Sequence, residues 1–70
     1  MPKSLSWQKL VQKLRRLGFS GPFPGGRHLF MRKNDFKLSI PNPHKGDLSS
    51  GLITRILREA EIDPEDWENA

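Results

Sequence analysis

Seventy residues, none of them cysteine, make one small domain spanning 1–70 and exclude disulfides and thiolate zinc sites. No apolar run approaches the roughly 20 residues that cross a bilayer, and Met1-Pro2-Lys3-Ser4 leads into no apolar stretch of the signal-peptide kind, so a soluble cytoplasmic protein is expected. Twelve Lys and Arg against eight Asp and Glu give +4, which points toward a polyanionic partner, with a plain solvated surface as the alternative.

Trp7, Leu10, Val11, Leu14 and Leu17 recur at helical spacing and predict an amphipathic first helix. Ser6 or Ser4 can cap its start, and Gly18 stands where a glycine ends a helix. Residues 20–26, Ser-Gly-Pro-Phe-Pro-Gly-Gly, are turn-rich; Phe23 between two prolines allows at most a short edge strand. Arg27–Lys33 and Phe36–Ile40 are strand-like runs separated by Asn34-Asp35, which predicts a tight hairpin. A two-residue loop pairs Lys33 with Phe36, Arg32 with Lys37, Met31 with Leu38, Phe30 with Ser39, Leu29 with Ile40 and His28 with Pro41. Alternation then assigns Leu29, Met31, Phe36, Leu38 and Ile40 to the core face. His28, Phe30, Arg32, Lys37 and Ser39 share the other face.

Pro41–Gly46 reads as a loop, and Asp47, Ser49 or Ser50 can cap a second helix with Leu52, Ile53, Ile56, Leu57 and Ala60 on its stripe and Arg55 and Arg58 outward. Asp63-Pro64-Glu65-Asp66 has the form of a helix start, so a short third helix carries Trp67 into the core. The order is helix, weak strand, strand, strand, helix, short helix. It predicts an α+β domain whose three-stranded antiparallel sheet is covered by helices on one face and open on the other.

Charge is divided along this order. Through Arg58 all twelve basic residues stand against Asp35 and Asp47 alone, a balance of +10, whereas residues 59–70 hold six acids and no base, a balance of −6. The acidic end is expected either to form a separate short helix or to screen part of the basic body. On the open face, Arg32 lies opposite Lys37. Like charges across a ladder cost a few tenths to about 1 kcal/mol, and a bridging phosphate would relieve them. Phe30 can stack on a base, unless a loop or the C-terminal helix covers it. His28 follows Gly25-Gly26, which permit close approach of a ligand to the backbone, and cations surround it. A neutral imidazole beside a bound phosphodiester can take the proton of a ribose 2′-hydroxyl, with Arg32, Lys37 or Lys45 stabilising the charge that develops. This chemistry needs no metal and no cofactor, and the chain has none of the clustered carboxylates of a magnesium nuclease. His44, in the proline-rich loop, is either a second acid/base group or a residue shaping the approach to the second helix; the latter is preferred.

These residues resemble the HicA family, the small mRNA interferase toxins of HicA–HicB toxin–antitoxin systems. Trp7–Phe19 is similar to the family's opening helix and its Gly-Phe or Gly-Trp end. Gly25-Gly26-Arg27-His28-Leu29-Phe30 resembles its Gly-Ser-His-His or Gly-Ser-Asn-His segment, with Gly26 and Arg27 in place of Ser and His or Asn. Ile40–Leu48 resembles its Pro-x-His stretch, with one more residue before His44. Gly51–Ala60 resembles its last conserved helix, after which Glu61 stands where Gly is common. The resemblance implies a double-stranded-RNA-binding-domain-like fold, α-β-β-β-α, and a metal-independent endoribonuclease acting on mRNA. It implies His28 as the catalytic residue and a HicB-like antitoxin as partner. Gly26, Arg27, Phe30, Arg32, Lys37 and Lys45 are the candidate RNA contacts. A non-catalytic RNA-binding module is the alternative; a DNA-binding protein using the basic first helix ranks last, because a hairpin separates the two helices where a helix-turn-helix would join them.

Overall fold

The computed structural model describes residues 3–43 and 45–70. The reading of His44 therefore lies outside the described residues. The observed order is α1 (Trp7–Arg16), β1 (Ser20–Gly25), β2 (His28–Lys33), β3 (Phe36–Ser39), α2 (Ser50–Glu59) and α3 (Pro64–Asn69), the α+β arrangement expected.

Local chemistry sets the helix ends. Ser6 caps α1 by accepting from the Lys9 amide at 3.2 Å, and Ser49 caps α2 by accepting from the Leu52 amide at 3.2 Å. Asp63 caps α3, accepting from the Glu65 amide at 2.8 Å, with Pro64 at the first helical position. Both long helices close with the same pair of reversed hydrogen bonds. At α1 the Gly18 amide donates to Arg15 and the Phe19 amide to Leu14; at α2 the Glu61 amide donates to Arg58 and the Ile62 amide to Leu57. The motif requires a left-handed residue at its turn. Gly18, at φ 100°, meets that demand without a Cβ, whereas Glu61 meets it at φ 54° with one.

The strands form one antiparallel sheet in the order β1-β2-β3. The β2–β3 register is the expected one from Lys33↔Phe36 to Phe30↔Ser39, and the Ile40 amide extends it to Leu29. β1 is longer than the prolines suggest. It runs six residues as an edge strand, with an irregularity between Ser20 and Phe23. Successive N–H groups of a regular strand point to opposite sides. With Phe23 and Gly25 paired to Phe30 and His28, Pro24 between them directs its missing donor to the unpartnered edge, and Pro22 falls in the irregular stretch before Phe23, where the ladder is already interrupted. Two-residue turns close both hairpins, Gly26-Arg27 and Asn34-Asp35, with Gly26 at φ 77° and Asn34 at φ 54°.

The core joins Leu10, Val11 and Leu14 of α1, Met31 and Leu38 of the sheet, Ile53, Ile56 and Leu57 of α2, and Trp67 of α3. Trp67 is buried as expected, and Lys13 clamps it, donating to its carbonyl at 2.9 Å with Nζ 4.8 Å from the ring centroid. Leu5 and Leu48 bridge the segments before the two long helices. One core assignment is corrected: Phe36 is 42% exposed. It has the core-face parity but sits at the hairpin tip opposite Lys33, where it lines an open surface hollow with Phe19, Ala60 and Glu61 instead of packing into the core. Among the described residues no helix is long and apolar enough to cross a membrane.

Candidate active site

The Gly26-Arg27 turn delivers His28 as the first residue of β2, opposite Gly25. This end of the sheet is tied down from two directions. Trp7 Nε1 of α1 donates to the Pro41 carbonyl at 2.7 Å, and Asn42 Nδ2 donates to the Arg27 carbonyl at 3.0 Å. The loop after β3 is thereby held against the turn that presents the histidine. His28 itself is exposed.

Strand alternation and pairing place His28, Phe30, Arg32 and Lys37 on one sheet face, with Arg32 and Lys37 directly opposite each other. Their repulsion is relieved from within the protein. Lys37 Nζ lies 4.4 Å from the centroid of the Phe30 ring, so it leans off the Arg32 pairing and back along the strand toward His28. Phe30 stands two residues from His28 along β2, so the contact turns Lys37 toward the His28 end of the strand. Phe30 is half-buried, and Phe23 of β1 packs against it, with ring centroids 5.5 Å apart and planes tilted by 42°. Phe23 remains 39% exposed, so an aromatic pair flanked by cations stands on the sheet surface.

The two glycines before His28 serve different ends. A Cβ on Gly25 would meet the Phe30 ring at 2.6 Å, so that site is already filled from within the chain. Gly26 faces open space, and with Arg27 it forms an exposed corner beside His28. Lys45 is exposed on the loop that starts at the same end of the sheet. Gly26, Arg27, His28, Phe30, Arg32 and Lys37 thus share a continuous stretch of surface. Not every cation joins it. Arg15 donates through Nε and Nη2 to the Gly21 carbonyl at 2.9 and 2.7 Å, and Lys33 lies over the Phe19 ring on the other side of the sheet.

A cleft of about 240 Å³ opens beside His28 between β3 and α2. His28 and Ser39 line it from the sheet, Arg55 and Glu59 from α2, with Ile40 and Leu52 beneath. Arg55 Nε donates to Glu59 Oε1 at 3.3 Å. Sequence reasoning missed Phe23, Arg55 and Glu59 as parts of this region. The spacing Leu52, Arg55, Ile56, Glu59 does place all four on adjoining strips of one helix, but which strip borders β3 depends on how α2 docks. Among the described residues no three His, Asp or Glu side chains gather as metal ligands do.

Across residues 7–62, four-fifths of the chain, the sequence matches the family model described as the HicA toxin of bacterial toxin–antitoxin systems. The chain belongs to the HicA toxin family. The match begins at the first residue of α1 and ends just after the closing turn of α2, so it takes in the whole sheet and the His28 turn. A comparison with curated proteins gives no match. Membership in HicA makes this chain the toxin component of a toxin–antitoxin pair and implies an antitoxin as its protein partner.

Proposed function

We propose that this HicA-family toxin is an endoribonuclease that cleaves mRNA in the cytoplasm, with His28 as its general acid/base. The observation that carries the reading is an exposed histidine on the same sheet face as Phe30, Arg32 and Lys37, bordering a cleft at the edge of that face. Gly26, Arg27, Phe30, Arg32, Lys37 and Lys45 are the proposed RNA contacts. The cations hold phosphates, and the Phe30 ring offers its remaining surface to a base.

The reaction is a transesterification. His28 takes the proton of a ribose 2′-hydroxyl, and the 2′-oxygen attacks the adjacent phosphorus. The new 2′-O–P bond forms as the P–O5′ bond breaks, and the imidazolium returns its proton to the departing 5′-oxygen. The products are a 2′,3′-cyclic phosphate and a 5′-hydroxyl end. Negative charge on the non-bridging oxygens grows in the transition state, where Lys37, Arg32 or Lys45 stabilises it. No metal enters these steps. An antitoxin of the HicB type inhibits by covering this same face.

Purified wild type and His28→Ala, incubated with mRNA, test the assignment. The expected result is a loss of roughly 10²- to 10⁴-fold in cleavage rate with an unchanged circular dichroism spectrum, and loss of growth arrest in cells. Equal cleavage by the two proteins would remove His28 from the chemistry. Salt-sensitive RNA binding by the wild type with no product at long incubation would favour the non-catalytic RNA-binding module instead.

A further inference from the structure

We infer that the cleft between β3 and α2 is a subsite for a single nucleobase of the RNA, with Arg55 and Glu59 reading its edge. The inference rests on the ribonuclease reading for the identity of the polymer. Three observations support it. First, size: pockets for drug-sized ligands start at roughly 300 Å³, and this cleft, at about 240 Å³, suits one ring system rather than a base pair. Second, lining: the half-buried Pro41 and Leu52 give an apolar surface for the face of a base, while Ser39, Arg55 and Glu59 give a rim that both donates and accepts. That division matches a nucleobase, apolar on its faces and polar around its edge. Third, position: His28 borders the cleft, so a base seated there belongs to a nucleotide next to the phosphodiester that His28 would attack.

Arg55 is prepared for the task. Its bond to Glu59 uses Nε, so the N–H donors of the two terminal nitrogens remain for a ligand. The two side chains are 75% and 49% exposed, so little desolvation opposes their turning to a ligand, and their replacement leaves the core intact. Glu59 orients Arg55 and contributes a carboxylate that accepts from exocyclic amino groups.

Two measurements on the full chain test the inference. In the first, the four nucleoside 3′-monophosphates are titrated separately and amide resonances are followed by NMR. At least one nucleotide is expected to shift His28, Ser39, Leu52 and Arg55 saturably, and Arg55→Ala to weaken that binding by roughly tenfold, a change of about one decade in Kd. Shifts reproduced by inorganic phosphate alone, shifts confined to other residues, or equal affinity in Arg55→Ala would overturn the subsite. In the second, cleavage positions on a random-sequence RNA are compared among wild type, Arg55→Ala and Glu59→Gln. The base preference at one position beside the cut is expected to flatten in both variants, with KM raised and kcat largely kept. Unchanged preference and KM in both variants would also overturn it. The two failures separate: nucleotide binding in the cleft without RNA cleavage by the wild type defeats the ribonuclease reading alone, whereas RNA cleavage indifferent to Arg55 and Glu59 defeats the subsite alone.

Discussion

Gly25 shows how a residue can be conspicuous for a reason its neighbours in sequence do not reveal. Read in the chain, Gly25-Gly26 is a doublet that lets a ligand near the backbone. In the folded protein only Gly26 faces open space; Gly25 makes room for the ring of Phe30, two residues along the next strand from its pairing partner His28. Gly25→Ala therefore puts a methyl group 2.6 Å from Phe30 Cδ1. The ring must swing away, which loosens its contacts with Phe23 and Lys37. The expected outcome is a folded protein destabilised by roughly 1–3 kcal/mol, with altered Phe30 ring resonances and weaker RNA binding. Unmoved Phe30 resonances in the variant would contradict this packing. The same ring explains how Arg32 and Lys37 are tolerated face to face. A bridging phosphate is not needed to relieve them, because Lys37 settles over Phe30, a contact worth about 0.5–1 kcal/mol at an exposed site. His28 needed no such revision of place. Its parity on β2 put it on the Phe30 side, and the register of the hairpin fixed that parity.

Elements were legible wherever a local rule dictated them. The periodic stripes of α1 and α2, the Asn34-Asp35 turn and the Asp63-Pro64 start of α3 each rest on a few neighbouring residues, and each stands where the chain chemistry puts it. β1 was harder because proline argues against strands in general, while only the direction of the missing N–H decides the matter, and direction follows from pairing with β2. The cleft was illegible for a related reason. It exists because α2 lies beside β3 at a particular rotation, and no local signal encodes that rotation. The end of α2 also carries a testable defect. Glu61 holds the left-handed conformation that Gly18 holds at the end of α1. A left-handed L-residue costs roughly 1–2 kcal/mol, and glycine returns part of that gain through greater freedom in the unfolded chain. Glu61→Gly is thus expected to stabilise the protein by about 0.5–1 kcal/mol, read as a higher urea midpoint at constant m. A lower midpoint would show that the Glu61 side chain makes a compensating contact.

For the whole molecule, composition alone revealed a basic body and an acidic end, and the fold determines which charges remain available. Lys13 and Arg15 are bonded to the carbonyls of Trp67 and Gly21, so much of the basic character of α1 serves to fasten α3 and β1. Glu59, the first of the terminal acids, pairs with Arg55, and Asp63, Glu65 and Asp66 stand at the start of α3. Binding of single-stranded RNA should accordingly weaken with salt, by a slope near −0.7 per phosphate neutralised. Lys37→Ala is expected to reduce that slope by about one contact. Arg15→Ala should leave the slope unchanged and lower the melting temperature instead. Fluorescence anisotropy across a salt series, run beside thermal melts, checks both; a reduced slope in Arg15→Ala would assign α1 to the RNA surface. The prolines of β1 bear on assembly as well. An open sheet has two borders, and either one can recruit a foreign strand. At Pro24 the outer border of β1 lacks a hydrogen such recruitment needs, and the irregularity before Phe23 breaks its line, so zipping of copies along that side is disfavoured and Phe36–Ser39 is the more open border.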